Sequence, residues 1–273
     1  MAKKIKRGAI YVCLILLALI CLLPFLLMIV NATRSGVEIT HSFTLIPSNH
    51  LGENWTALFA YVNLFRGFGN SLMVAIPATI LTAYFSAITA YALAVYRFKG
   101  NGWLFKILVV FMMIPAQLSL IGFYNLCQKL HMVDSYLPLI IPAIASPGTV
   151  FFLRQYVQST LSKALLEAAR IDGAGELRTF WDIVLPIVKP GVGALAIFTF
   201  VNTWNDYFMQ LIMLKSSDAI TVSLGIARLQ SEFATNYGLM MAGATLGAVP
   251  IVAVFICFQK YFTQGITMGA VKG

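Results

Sequence analysis

Six stretches of the chain are nearly free of charge and long enough to cross a bilayer: Gly8 to Val30, Asn70 to Tyr96, Trp103 to Leu126, Leu137 to Val157, Ile187 to Leu214 and Gly238 to Phe258. About 20 apolar residues make one helical span, so the pattern predicts an all-α membrane protein of six transmembrane helices, organised as one membrane domain over residues 1–273. Within these stretches the ionisable residues are Lys106, Arg154 and Lys189 near the ends and Asp206 deeper inside. The first stretch follows Lys3, Lys4, Lys6 and Arg7 and runs for 23 residues without a clear small-x-small cleavage site. It is too long for a signal-peptide core and reads as a retained span. Pro77, Pro115, Pro138, Pro142, Pro147 and Pro250 are candidate kinks.

The segments between the spans set the orientation. With the N-terminus inside, the inner segments hold 14 of the 19 Lys and Arg residues and the outer ones hold five: Arg34, Arg66, Lys129, Lys215 and Arg228. Cationic side chains that merely snorkel would favour neither side. The bias predicts that both termini are cytoplasmic.

One inner segment, residues 158–186, is far denser in charge than its surroundings, with Glu167, Asp172, Glu176 and Asp182 beside Lys163, Arg170 and Arg178. Leu161, Ala164, Leu165 and Ala168 recur at helical spacing and predict one apolar stripe, with Gly173 ending that helix. Leu177, Phe180, Trp181 and Val184 predict a second, with Arg178 and Asp182 paired at i, i+4. Pro186 is expected to stop it, and Pro190 to fall in the first turn of the next span. Such a helix-turn-helix could lie in the lipid interface. Alternating charge signs and the small pair Ala168 and Ala169 suit a protein partner as well.

Composition agrees with a membrane chain and removes other classes. Hydrophobic residues make up 59% and charged residues 11%, where soluble domains carry about 25% charge. The net charge of +9 is scattered over span ends rather than gathered in a block, which argues against nucleic acid. Cys13, Cys21, Cys127 and Cys257 lack any C-x-x-C spacing and are expected to be small buried hydrophobes. His41, His50 and His131 are isolated, without metal-ligand spacing. No phosphate loop of the G-x-x-x-x-G-K-[ST] type occurs, so the chain carries no ATP-hydrolysing motif. An ion-coupled transporter normally needs several intramembrane acids, and Asp206 alone is available.

Glu167-Ala168-Ala169, three residues, Gly173, nine residues and Ile183-Val184-Leu185-Pro186 resemble the EAA loop of ABC importer permease subunits. Phe152 to Tyr156, Trp204-Asn205-Asp206-Tyr207 and the ending from Gln259 to Gly273 resemble the carbohydrate, maltose-type second permease, over nearly the whole chain. Ser162 and Ala164 depart from the Pro and Glu usual there, at the start of the first coupling helix. The resemblance implies a permease of a bacterial or archaeal cytoplasmic membrane that imports a carbohydrate, is not itself an enzyme and binds no cofactor, ATP and Mg residing on its partners. Those partners are a second homologous permease, two cytoplasmic ATP-binding subunits and an extracellular or periplasmic solute-binding protein, within membrane lipid and without nucleic acid. It implies that Glu167, Ala168, Ala169, Arg170, Asp172, Gly173, Leu185 and Pro186, in a coupling loop between helices 4 and 5, meet an ATPase. The cytoplasmic tail 259–273 would add Gln264, Gly265 and Lys272 to that contact. The outer segment from Lys215 to Tyr237 resembles the loop that probes the binding protein. Trp204, Asn205 and Asp206 either line the translocation path or tie helix five to a neighbour.

Overall fold

A computed structural model describes residues 2–61, 63–232 and 236–270. Its elements are helices, in the order α1 Ala2–Asn31, α2 Gly36–His41, α3 Leu51–Tyr61, α4 Leu64–Val95, α5 Asn101–Met113, α6 Leu120–Lys129, α7 Leu137–Ile140, α8 Pro147–Thr160, α9 Lys163–Ile171, α10 Glu176–Thr179, α11 Leu185–Asn205, α12 Tyr207–Met213, α13 Val222–Glu232 and α14 Tyr237–Ala270. The described residues contain five helical stretches long and apolar enough to cross a membrane, and a sixth if the bent pair α5 and α6 is one span. The chain folds as two compact units, one of residues 1–67 and 224–250, the other of residues 68–223 and 251–273.

In the first unit α1 exposes Ile15, Leu16 and Ile20 along its length, as expected of a helix whose solvent is lipid. The following segment is tied down by polar groups. Ser35 and Glu38 form a reciprocal capping box at the start of α2. The buried Arg34 guanidinium donates to the Glu38 and Ser42 carbonyls at 2.8 and 3.0 Å, and Asn54 donates to the Ala32 and Arg34 carbonyls at 2.9 Å. Gly238 packs against this knot so closely that a Cβ there would lie 2.2 Å from the Arg34 carbonyl oxygen.

The second unit shows why three predicted spans are not straight rods. Pro115 lacks an N–H and excludes Ile114 from the helical region, so Ile114 is extended at ψ 121° and the axes of α5 and α6 diverge by 86°. Pro142 and Pro147 divide the fourth span into α7, a 3-10 turn over Ile141–Ile144, and α8. Pro77, Pro190 and Pro250 stay inside continuous helices. The expected fifth span, Ile187 to Leu214, breaks at Asp206 (ψ 84°), whose carboxylate accepts from the Met209 N–H at 3.2 Å and caps α12. Two connecting segments are stitched into this unit. Asn70 donates to the Asp218 and Ile220 carbonyls at 2.8 and 2.9 Å, and the N–H groups of Lys215 and Ser216 donate to Asp134 at 2.8 and 2.9 Å.

The core of the second unit joins Ala87, Ala90 and Tyr91 of α4, Val150, Leu153 and Val157 of α8, Leu166 of α9, and Phe180, Val184 and Val188 around the start of α11. The expectation of four buried cysteines is corrected. Cys127 is buried, whereas Cys13, Cys21 and Cys257 are exposed on apolar helices, where a thiol meets lipid without a polar penalty.

Candidate functional site, the hairpin between α8 and α11

The charged segment is a hairpin, and the backbone explains its sharp turn. At the end of α9 the Gly173 N–H bonds the Arg170 carbonyl at 3.1 Å and the Ala174 N–H bonds the Ala169 carbonyl at 2.9 Å. This is a complete Schellman closure. It requires the left-handed conformation at Gly173, φ 75°, which glycine adopts without a Cβ penalty. The predicted end of the first helix is therefore where the structure puts it.

The predicted stripe is not. Leu166 and Ala169 are the buried side chains of α9, while Ala164, Leu165 and Ala168 are exposed and Leu161 caps α8. Outside the face of Lys163, Glu167 and Arg170 the rest of α9 is apolar, so periodicity alone could not choose which part of that broad apolar arc faces inward. Leu165, Ala168 and Ile171 consequently form an apolar outer face, with Ile171 86% exposed. In the returning helical arm of the hairpin Phe180 and Val184 are buried, but Leu177 and Trp181 are exposed.

Nor does Pro186 end the second helix. Helical backbone runs from Glu176 through a π-helical turn at Phe180–Val184 directly into α11. A proline ring clashes with the carbonyl four residues back and offers no N–H, and a π turn just upstream accommodates that mismatch. The hairpin and the membrane span thus share one helix, Glu176–Asn205, of 30 residues. Leu185 and Pro186 lie in its course rather than at a boundary.

Polar contacts hold the hairpin to the rest of the unit. Arg170 donates to Glu176 at 3.1 Å across the turn, and the Tyr96 hydroxyl, just past the end of α4, donates to the same carboxylate. Arg178 and Asp182 pair at 3.2 Å, as predicted. Ring contacts add Tyr91 on Phe180 and Tyr84 stacked on Trp181, with centroids 5.7 and 5.8 Å apart. Sequence reasoning missed Tyr96, because 80 residues separate it from Glu176 and no local signal links them.

Further along α11 a cavity of about 1160 Å³ is lined by residues of α8, α11 and their neighbours, among them Gln155, Tyr156, Thr199, Asn202 and Thr203. None of its lining residues carries a formal charge. Trp204 does not line it. That residue is 1% exposed and stacks on Phe200 at 5.7 Å. Asn205 and Asp206 are exposed at the helix break. At the end of α14 Gln264 is exposed, and Gly265 packs against Pro190 and Ala194 of α11. Lys272 lies outside the described residues.

Comparison with known proteins gives the same architecture a family. Residues 79–268, which contain the hairpin, match the profile of the binding-protein-dependent transport system inner membrane component. The chain is 39% identical over 261 residues to the arabinooligosaccharides transport system permease protein AraQ of Halalkalibacterium halodurans, covering 94% of this chain and 93% of that one. It is 31% identical to the melibiose/raffinose/stachyose import permease protein MelC of Bacillus subtilis, covering 92% and 91%. A crystal structure of a bacterial ABC transporter that imports the acidic polysaccharide alginate superposes with a TM-score of 0.79 at 21% identity, covering 96% of this chain and 98% of that one. Matched by that profile over residues 79–268 and by relatives over nearly its whole length, the chain belongs to the binding-protein-dependent transport system inner membrane component family of ABC importer permeases.

Proposed function

We propose that this chain is the membrane-spanning half of an ATP-driven, binding-protein-dependent carbohydrate importer, paired with a second, homologous permease. Its α9 hairpin docks one of two cytoplasmic ATP-binding subunits, while a solute-binding protein outside the cell delivers the sugar. The observation that carries this reading is the outward apolar face of Leu165, Ala168 and Ile171, on a helix whose other side is locked into the core through Leu166 and Ala169. An exposed apolar face on a charged hairpin marks a protein contact. Continuity of the same hairpin with α11 gives the contact a mechanical route into the membrane.

Chemistry within the membrane supports a neutral, hydroxyl-rich solute. The cavity beside α8 and α11 offers amide and hydroxyl groups and no formal charge. Such groups satisfy sugar hydroxyls, whereas an anion would enter without a counter-charge. In this reading Thr199 and Asn202 of α11 are this subunit's share of the path, and Trp204, Asn205 and Asp206 shape its end. Binding of ATP by the partner subunits closes the motor and alternates the opening of the path.

Co-expression with the partner subunits and reconstitution into vesicles tests the reading. ATP-dependent uptake of neutral oligosaccharides is expected, with loss of ATPase copurification in Ala168→Trp while the two permeases stay paired. Uptake that needs no ATP, or full ATPase retention with normal uptake in that variant, overturns it.

A further inference from the structure

A second cavity, of about 1020 Å³, opens on the other side of the hairpin, between the end of α4, the start of α5, α8 and α9. Four cations line it: Arg97, Arg154, Lys163 and Arg170, against one carboxylate, Glu167. Arg170 is engaged by Glu176. Among the described residues no carboxylate forms an ion pair with Arg97, Arg154 or Lys163. Arg154 is held in place from two sides, its Nε donating to the Leu93 carbonyl at 3.3 Å and its guanidinium carbon lying 3.9 Å from the Phe105 ring centre. That arrangement leaves the two terminal amino groups of the guanidinium to meet an acceptor in the cavity.

The rest of the lining combines apolar residues, Leu93, Val95, Phe98 and Leu161 among them, with the neutral polar side chains of Tyr96, Asn101 and Gln158. Its position relative to lipid follows from its neighbours. Trp103, one turn into α5, is 71% exposed with the Lys106 ammonium 5.5 Å from its ring centre. An exposed tryptophan paired with lysine at a span end belongs at headgroup depth. A cavity at that depth whose lining combines several cations with apolar side chains matches an amphiphile carrying a phosphate. A phosphodiester accepts from arginine forks, and acyl chain covers the apolar side chains.

We propose that this cavity binds the headgroup of an anionic phospholipid, held by Arg97, Arg154 and Lys163. The site includes one face of α9: Lys163, Leu166, Glu167 and Arg170 recur at i, i+3, i+4 and i+7 and line the cavity, while Leu165, Ala168 and Ile171 lie on the helix's outer side. The binding does not depend on what that outer side docks.

The test is retention of lipid by the full-length chain. Delipidated protein is transferred to nanodiscs of phosphatidylcholine with or without phosphatidylglycerol, re-extracted gently and analysed by native mass spectrometry. Wild-type protein is expected to retain phosphatidylglycerol over phosphatidylcholine. The double variant Arg97→Gln, Lys163→Gln, which alters two exposed side chains, should hold it about thirtyfold less tightly, while Lys129→Gln, outside the cavity, matches wild type. Equal retention of the two lipids by wild type, which requires no variant, overturns the proposal, as does undiminished phosphatidylglycerol binding in the double variant. Displacement of the lipid by millimolar inorganic phosphate assigns the cavity to a soluble anion and equally overturns it.

Discussion

At the scale of single residues, the positions that matter most are those where the backbone leaves no choice. Gly173 sits at φ 75°, a region that costs a β-branched residue about 1–2 kcal/mol. Gly173→Val is expected to fray the end of α9, seen as faster amide exchange at position 173 and at Ala174, with insertion into the membrane unchanged. Gly238 is constrained by space instead of angle. An added methyl would collide with the Arg34 carbonyl, so Gly238→Ala should destabilise its unit by about 1–3 kcal/mol, read as a lower unfolding midpoint in detergent. Asp134 is constrained by charge. The backbone N–H groups of Ser216 and then Lys215 hold its carboxyl below its ordinary value of 3.8. A carboxyl depressed by folding stabilises above the unfolded value and loses that contribution as pH falls through the lower folded one. Protection of the Lys215 and Ser216 amides should therefore persist down to mildly acid pH and collapse below 3.8, whereas Asp134→Asn should show weaker, pH-independent protection. Gly173 was legible in the sequence because glycine after a helical run has a mechanism. Gly238 and Asp134 were not, since their partners lie far away in the chain.

At the scale of elements, the sequence reports existence better than facing. The charge-dense segment, its turn and the Arg178–Asp182 pair are all present, yet the buried stripe of α9 passes through Leu166 and Ala169. A helix that must bury one apolar face and offer another carries no periodic signal for which is which. Proline shows the same limit. Pro115 breaks a span while Pro77 does not; Pro77 lies among the buried Val74, Ala75 and Ala78, whereas Met113 and Ile114 beside Pro115 are exposed. What fixes the hairpin is its tie to α4. Tyr96→Phe removes the hydroxyl that reaches Glu176, and a lost hydrogen bond of this kind costs about 0.5–1.5 kcal/mol. The expected outcome is faster amide exchange across α9 and α10 with the remaining spans unaffected; unchanged exchange would mean that the aromatic contacts alone hold the hairpin.

For the whole molecule, hydropathy and the distribution of lysine and arginine predicted the membrane class and the approximate spans, because a bilayer imposes length and charge constraints on sequence directly. The broken third span and the fusion of hairpin with fifth span were not legible, since they arise from proline and capping geometry inside apolar runs. Orientation is checked with exposed positions in a cysteine-free background. Ile46→Cys should react with an impermeant thiol reagent in intact cells, and Ile171→Cys only after the membrane is opened; the reverse pattern would invert the topology. The uninterrupted helix Glu176–Asn205 has a consequence of its own. At 1.5 Å per residue its 30 residues form a rod about 45 Å long. A rod rooted in the hairpin acts as a lever: a tilt of about 10° at Glu176 sweeps Asn205 through about 8 Å. The rod ends at the break at Asp206, which is capped on its own, so that a small rotation at the hairpin is magnified to a stroke of several ångströms at Asn205.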